Sequence, residues 1–195
     1  MPTCSLSPRD FCDALTEAMA TPINPSLKQK GSLQRKSRSR RFPEDTALII
    51  VDVQREFPVP PALVRRIEVY SRLFDCRIFT RFVNPPDSFF RRKLKMTCCA
   101  PGSEGTELLI ASSSNDLILD KDTYGLAAKH VRRIRARGIT HAVVCGLETD
   151  ACVLGIMYSL FDSKILARVE PSLCWSSTGL HRKALEIMAM QFEPS

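Results

Sequence analysis

"VVCGLETDACVLGIMYSLFD", residues 143–162, carries two cysteines seven positions apart, with an acid–hydroxyl–acid run between them. Spacing alone leaves a disulfide, a metal pair or an unrelated pair open. The flanks decide the local structure. "HAVVCG" (141–146) is a continuous apolar, β-branched run, the pattern of a strand buried on both faces. From Val153 onward apolar residues fall at 153, 156, 157, 160 and 161, a helical stripe. The stretch is thus a strand, a short turn and a helix. Cys145 belongs to the packed strand, and Cys152 to the first helical turn, capped by Thr149 or Asp150.

The same alternation extends along the chain. "TALIIV" (46–51) reads as a first buried strand ending at Asp52, and "PPALVRRIEVYSRLF" (60–74) as a helix with Leu63, Ile67 and Tyr70 on one face. "CRIFTRFV" (76–83) is a second strand, and "NPPDS" (84–88) a turn. Residues 88–116 follow no clear period; "PGSEG" marks a loop and "TELLIA" a short helix. "LILD" (117–120) is a third strand, ending at Lys121. "LAAKHVRRIRARG" (126–138) is a helix with Ala127, His130, Val131 and Ile134 inward and Gly138 as its stop. "KILARV" (164–169) is a fifth strand, and a last helix spans 178–192 with Leu180, Ala184, Ile187 and Met188 on its face. Strands alternating with helices through short connections imply a parallel sheet covered on both faces. There is no Gly-rich phosphate loop, so a nucleotide-binding assignment has no motif to rest on.

Eight cysteines among 195 residues raise the question of a disulfide scaffold. No long apolar secretory stretch opens the chain, and several cysteines lie in strand-like runs, so reduced thiols and a cytoplasmic protein are expected. Adjacent Cys98 and Cys99 lack zinc-site spacing, and His130, His141 and His181 are scattered, so neither metal nor cofactor is expected. No run of eighteen or more apolar residues occurs, so no membrane span is expected.

The net charge of +7 is uneven: residues 1–43 hold eight Lys/Arg against three Asp/Glu (+5), residues 44–195 twenty against eighteen (+2). The sequence therefore divides into a basic, Ser-rich N-terminal extension (1–43) and a domain (44–195). A short helix fits 8–19. The extension reads most simply as a solvated tail. Its functional alternatives are nucleic-acid contact, a nuclear address or an organelle transit segment, the last opposed by Asp10, Asp13 and Glu17.

In open α/β sheets, ligands bind beyond the carboxyl ends of the strands. Asp52, Lys121 and Cys152 all fall at such ends. Singly, each has a plain alternative: a loop acid, a solvated cation, an inert core thiol. Together they supply complementary parts of one reaction. A thiol at a helix N-terminus beside a lysine is expected to have its pKa lowered from about 8.5 toward about 3.5–7.5. Asp52 would accept the thiol proton and Lys121 would stabilise the thiolate.

"ALIIVDVQREF", "ILDKDTYGLAA" and "VVCGLETDACVLGIMYSLFD", in that order, resemble the isochorismatase-like cysteine hydrolases, the superfamily that includes nicotinamidases and carbamoylsarcosine amidases. "IFTRFVNPPDSFFRR", "PGSEGTELL" and "SLCWSSTGLHRKALEIMA" agree with it, so the likeness covers residues 46–192. The resemblance implies a three-layer α/β/α fold with a parallel sheet of five or six strands, order 3-2-1-4-5(-6). It implies an Asp52–Lys121–Cys152 triad and a cis peptide at Leu147–Glu148. That bond would turn the Glu148 N–H beside the Cys152 N–H as an oxyanion hole. It also implies a small-molecule substrate and a homo-oligomer, dimer or tetramer.

Metal-dependent nicotinamidases carry an Asp-x-His element after the second strand; here Thr80 to Ala100 contains Asp87 and no histidine. A metal-independent cysteine hydrolase of a small amide, carbamoyl or ureido group is therefore expected, with Phe57, Arg81, Asn84 and Trp175 as pocket candidates. "KDTYGLAA" departs from relatives that carry a Ser and an aromatic residue after the Tyr, and "QFEPS" ends where relatives continue into an edge strand. These departures sustain an alternative, a catalytically silent binding or assembly protein.

Overall fold

The structure, a computed structural model, describes residues 41–192. The helix expected at 8–19 and nearly all of the basic extension lie outside the described residues.

Strand β1 (Thr46–Val51) is the centre of the core: Ala47 through Val51 are wholly inaccessible to solvent. Its unbroken apolar run reflects two parallel neighbours and a covered surface on each face. β2 (Cys76–Phe82) and β4 (His141–Gly146) flank it, with Val51 opposite Thr80 on one side and Gly146 on the other. β3 (Leu117–Lys121) lies outside β2, and β5 (Leu166–Cys174) outside β4. The parallel sheet runs β3-β2-β1-β4-β5, five strands among the described residues.

The helices sit where the apolar periodicity requires. α1 (Pro61–Ser71) opens at a proline and buries Leu63 and Ile67. α3 (Ala128–Arg135), which follows the short α2 (Phe89–Leu94), buries His130, Val131 and Ile134. Its last turn holds Arg132, Arg133 and Arg135, favourable at the negative end of the helix dipole. α4 (Leu154–Asp162) buries Ile156, Met157 and Leu160; α5 (His181–Phe192) buries Ala184 and Met188. By the right-handed rule for parallel crossovers, the order β3-β2-β1-β4-β5 requires α1 on one face of the sheet and α3 and α4 on the other. None of the described helices is long and apolar enough to cross a membrane.

Three local expectations change. Residues 106–111 do not form a helix. After one tight turn at Glu104–Thr106 their backbone pairs with the segment after β1 and then bends at Leu109–Ile110: Leu108 bridges Gln54, Leu109 N–H donates to the Val53 carbonyl and Arg55 N–H to that of Glu107. Phe89–Leu94, unassigned from sequence, is helical because the Ser88 hydroxyl caps Arg91 N–H at 3.1 Å and Lys95 ends the turn at φ 57°. β5 starts two residues later than expected, since Lys164 takes φ 54° to close α4, and runs on to Cys174 through a break in register opposite Val144–Gly146.

Gly146 is where the sheet admits no side chain. Its φ is +115°, and a β-carbon there would lie 2.3 Å from the Val51 carbonyl oxygen and 2.7 Å from Val51 N. Both obstacles are backbone of the central strand and cannot turn aside. Gly146→Ala is expected to destabilise the protein by about 3 kcal/mol or more. Gly138→Ala, at φ +73° but in open space, should lose only about 1–2 kcal/mol. Denaturant unfolding of the two variants measures the difference.

Candidate active site

Asp52 leaves β1 in the left-handed region, φ 50°, which turns its carboxylate over the end of the sheet. Thr80, opposite Val51 on β2, holds it there. The Thr80 hydroxyl donates to Asp52 Oδ1 at 2.7 Å, and the Asp52 N–H meets the Thr80 hydroxyl and carbonyl at 3.2 and 3.3 Å. Lys121 ends β3, two strands away, a separation of roughly 10 Å in a sheet. A lysine side chain can span that distance. It passes over Phe82, its partner on β2, with Nζ 5.5 Å from the ring centre, and reaches Asp52 Oδ2 at 2.7 Å and Cys152 Sγ at 3.2 Å. The Thr123 carbonyl accepts a further Nζ bond at 2.9 Å. Lys121 and Asp52 are buried, and Cys152 is half-buried.

Cys152 sits on a wide helical turn, Thr149–Val153, that precedes α4; the Val153 N–H reaches back five residues to the Glu148 carbonyl at 3.0 Å. The Lys121 loop packs directly against α4. A β-carbon on Gly125 would lie 2.8 Å from the Gly155 carbonyl, and Leu126 N–H donates to the Ser159 hydroxyl at 2.9 Å. That approach fixes the lysine end of the site relative to the thiol.

The electrostatics correct one expectation. Burial, followed by the Asp52 carboxylate, pushes the Cys152 thiol well above its ordinary pKa; the Lys121 ammonium pulls the other way and does not prevail. The direction is opposite to that expected of a thiol at a helix terminus beside a lysine. Burial also opposes the Lys121 charge, but the Asp52 carboxylate beside it holds its pKa above the usual lysine value. Asp52 Oδ2 pairs with the ammonium outside hydrogen-bond geometry, and it is the one buried side-chain oxygen or nitrogen among the described residues without a hydrogen-bond partner.

The turn after β4 departs from the resemblance. All peptide bonds of the described residues are trans, Leu147–Glu148 included. A trans bond avoids the roughly 3–4 kcal/mol of a non-proline cis bond, and the chain enters the turn directly: Leu147 N–H donates to Val51, and the Glu148 carbonyl accepts from Ala151 and Val153. Glu148 N–H itself meets no acceptor among the described residues.

The segment after β5 clamps this turn residue by residue. Glu148 accepts from Ser177 N–H at 2.6 Å and its hydroxyl at 3.1 Å. Asp150 accepts from the Thr178 hydroxyl at 2.8 Å and from that of Ser176. The Thr149 hydroxyl lies 2.8 Å from His181 Nδ1, and Thr149 N–H donates to the Trp175 carbonyl.

A cavity of about 180 Å³ opens over the acid and the thiol. Asp52, Leu147, Glu148, Ala151 and Cys152 form one end, and Phe57, Phe82, Phe90, Leu94, Met96 and Tyr124 the walls. Of the four pocket candidates, Phe57 lines it. Arg81 does not: side chains alternate along β2, so it faces away from Thr80 and Phe82 and forks onto Asp120 of β3 at 2.6 and 2.8 Å. Buried Asn84 latches the 85–99 loop, donating to the Met96 and Cys98 carbonyls at 2.9 and 3.1 Å. Trp175 packs half-buried on the core, and its N–H supports the Gly146 carbonyl. Thr80 and Phe82 were missed; β2 alternation in register with Lys121 would have found them. Gln54, also missed, is a buried polar residue just after β1. It exchanges bonds with Phe82 N–H and carbonyl at 2.7 and 2.9 Å and extends β2 toward the site. Among the described residues no three His, Cys, Asp or Glu gather as metal ligands would.

The isochorismatase domain matches residues 46–194. A search of curated proteins gives no match. Among solved structures, the fold is similar to that of a zinc-complexed pyrazinamidase from Pyrococcus horikoshii, with 21% identity over 77% of this chain and 97% of that one and a TM-score of 0.70. It is similar to a nicotinamidase from Bacillus subtilis (20% identity, 76% and 96% covered, TM-score 0.66). It is also similar to an N-carbamoylsarcosine amidase from Thermoplasma acidophilum (20% identity, 75% and 92% covered, TM-score 0.64). Fold, strand order and domain match agree: the chain belongs to the isochorismatase-domain family of hydrolases.

Proposed function

We propose that the protein is a metal-independent cysteine hydrolase that cleaves the C–N bond of a small amide, carbamoyl or ureido substrate through a thioester on Cys152. The observation that carries this reading is the Lys121 ammonium lying 2.7 Å from Asp52 and 3.2 Å from the Cys152 sulfur at the base of a cavity. Neighbours named as pyrazinamidase, nicotinamidase and N-carbamoylsarcosine amidase support the C–N class. The donor set supports a reaction without metal: no histidine lies between Thr80 and Ala100.

Each group has one task. With substrate seated, Asp52 Oδ2 takes the Cys152 proton as sulfur forms its bond to the carbonyl carbon. Lys121 keeps its charge beside the sulfur and offsets the negative charge arriving there. The Cys152 N–H, on the wide turn at the start of α4, is the oxyanion donor in this reading; the Glu148 N–H lacks the cis bond that would have turned it there. Asp52 returns its proton to the leaving nitrogen as the C–N bond breaks, and ammonia or an amine departs. Water, deprotonated by Asp52, then attacks the thioester, the acid leaves, and the thiol regains its proton. A thiol whose ionisation is opposed by burial suits this scheme, because its proton then moves as the sulfur meets a carbonyl.

Two measurements test the assignment. Cys152→Ala should lower ammonia release from a hydrolysed amide by about a thousandfold or more; full retention of turnover would sink the mechanism. Iodoacetamide should label Cys152 at pH 7.5 more slowly than a free thiol, as read by site-resolved mass spectrometry. Asp52→Asn removes the opposing carboxylate and should speed that labelling about tenfold or more. An unchanged or slower rate means that Asp52 is not the group holding the thiol proton in place.

A further inference from the structure

The sheet leaves its longest strand at an open edge. β5 has nine residues against five to seven in the other four, and nothing among the described residues pairs with its outer side. Proteins blunt such edges by shortening them, as at the opposite edge, where β3 has five residues. Along β5 the ladder to β4 uses alternate residues. Leu166 N–H donates to the Thr140 carbonyl, so Leu166 and Arg168 turn their backbone groups toward β4, and Ala167 and Val169 turn theirs outward. Beyond them the register breaks and Pro171 has no N–H to offer, so the open ladder is confined to the first half of the strand.

The side chains beside this ladder are complementary to one another. Arg168 and Glu170 lie on the face toward α1, both against the Tyr70 hydroxyl and 3.3 Å from each other. Leu166, on the same face by strand alternation, is 68% exposed. A groove of about 620 Å³, with Val69, Leu73, Ser172 and Leu173 in its lining, opens beside the far end of the strand, and Val69 is 61% exposed there. One copy thus carries a projecting leucine at the start of β5, an open groove near its end, and a cation and an anion between them.

These charges decide how β5 can pair with itself. An antiparallel match centred on Arg168 sets guanidinium against guanidinium, and one centred on Glu170 sets carboxylate against carboxylate; like charges directly opposite are destabilising. Centred on Val169, the match sets Arg168 of each copy opposite Glu170 of the other, and Leu166 opposite Ser172 at the other copy's groove. In that register the outward-turned Val169 meets its own equivalent, and the two exchange both backbone hydrogen bonds. A two-fold contact requires such self-complementarity. We propose that the outer edge of β5 is the contact face of a two-fold dimer of this chain, in which two β5 strands pair antiparallel about Val169 and the two sheets become one. The contact does not depend on the chemistry at Cys152.

Sedimentation velocity on the full chain over a concentration series reads the dimer, and hydrogen exchange resolved to single amides reads the edge. The unaltered chain should be dimeric, with the Ala167 and Val169 amides protected at high concentration and released on dilution. Leu166 and Arg168 are both exposed, so Leu166→Lys and Arg168→Glu test the contact with little risk to the fold. Each should raise the dissociation constant about tenfold or more. Arg168→Glu with Glu170→Arg restores opposite charges across the two-fold and should bring the constant back to within about threefold of the unaltered value. A chain that stays monomeric throughout the series overturns the proposal. So does a dimer that both single variants leave intact, which locates the contact on another face. Protection of the two amides that does not change on dilution also overturns it, since the edge is then covered within a single copy.

Discussion

A buried ammonium held between a carboxylate and a thiol is the constraint from which the rest of the site follows. Removing Lys121 and Asp52 from water is unfavourable, and their attraction offsets that only if the geometry is maintained. Maintaining it requires the strand order. Asp52 closes the central strand, Lys121 closes a strand two places away, and the Phe82 ring between them supports the lysine stem. Thr80 fixes one carboxylate oxygen and leaves the other for the cation. Loss of either charged partner would leave an uncompensated ion in a region from which water is excluded, so the pair is a structural condition as much as a chemical one.

The thiol is brought to this pair by a second device. A sharp exit from β4 needs Gly146, since any side chain there meets the backbone of β1. The following residues, Glu148, Thr149 and Asp150, are each anchored by the segment between Trp175 and His181. The two polar runs, "ETD" and "SSTGLH", are therefore one feature, two loops satisfying each other's hydrogen bonds over the end of the sheet. With the turn held this way the Leu147–Glu148 bond is trans and the helix begins with a wide turn that carries Cys152.

Strands were legible because parallel strands buried on both faces are continuous apolar runs; β1 and β4 have the boundaries their sequences imply. Asp52, Lys121 and Cys152 were singled out because they lie at or beyond the carboxyl ends of such runs, and the structure brings the three side chains together there. What failed did so for specific reasons. Arg81 and Asn84 were selected for polarity beside a motif, but strand alternation turns Arg81 onto Asp120, and backbone carbonyls of its own loop claim Asn84. The cysteine's pKa was argued from the helix terminus and the lysine, which omits the burial and the neighbouring carboxylate that act in the opposite direction. The stretch 106–111 has a helix-like composition, yet the backbone after β1 offers it partners that a lone helix would lack.

The ionic base and the apolar walls of the cavity depend on each other. Phe82 belongs to both: one face of its surroundings is the Lys121 ammonium, and its ring also packs against Phe57 and Phe90. Apolar walls keep the local dielectric low, which strengthens the Asp52–Lys121 attraction and raises the thiol's resistance to ionisation in the empty site. A polar or charged wall would admit water, weaken that attraction and release the thiol proton without a substrate. The same rings thus bound the cavity and set the surroundings of the Asp52–Lys121 pair, so a substitution among them alters both.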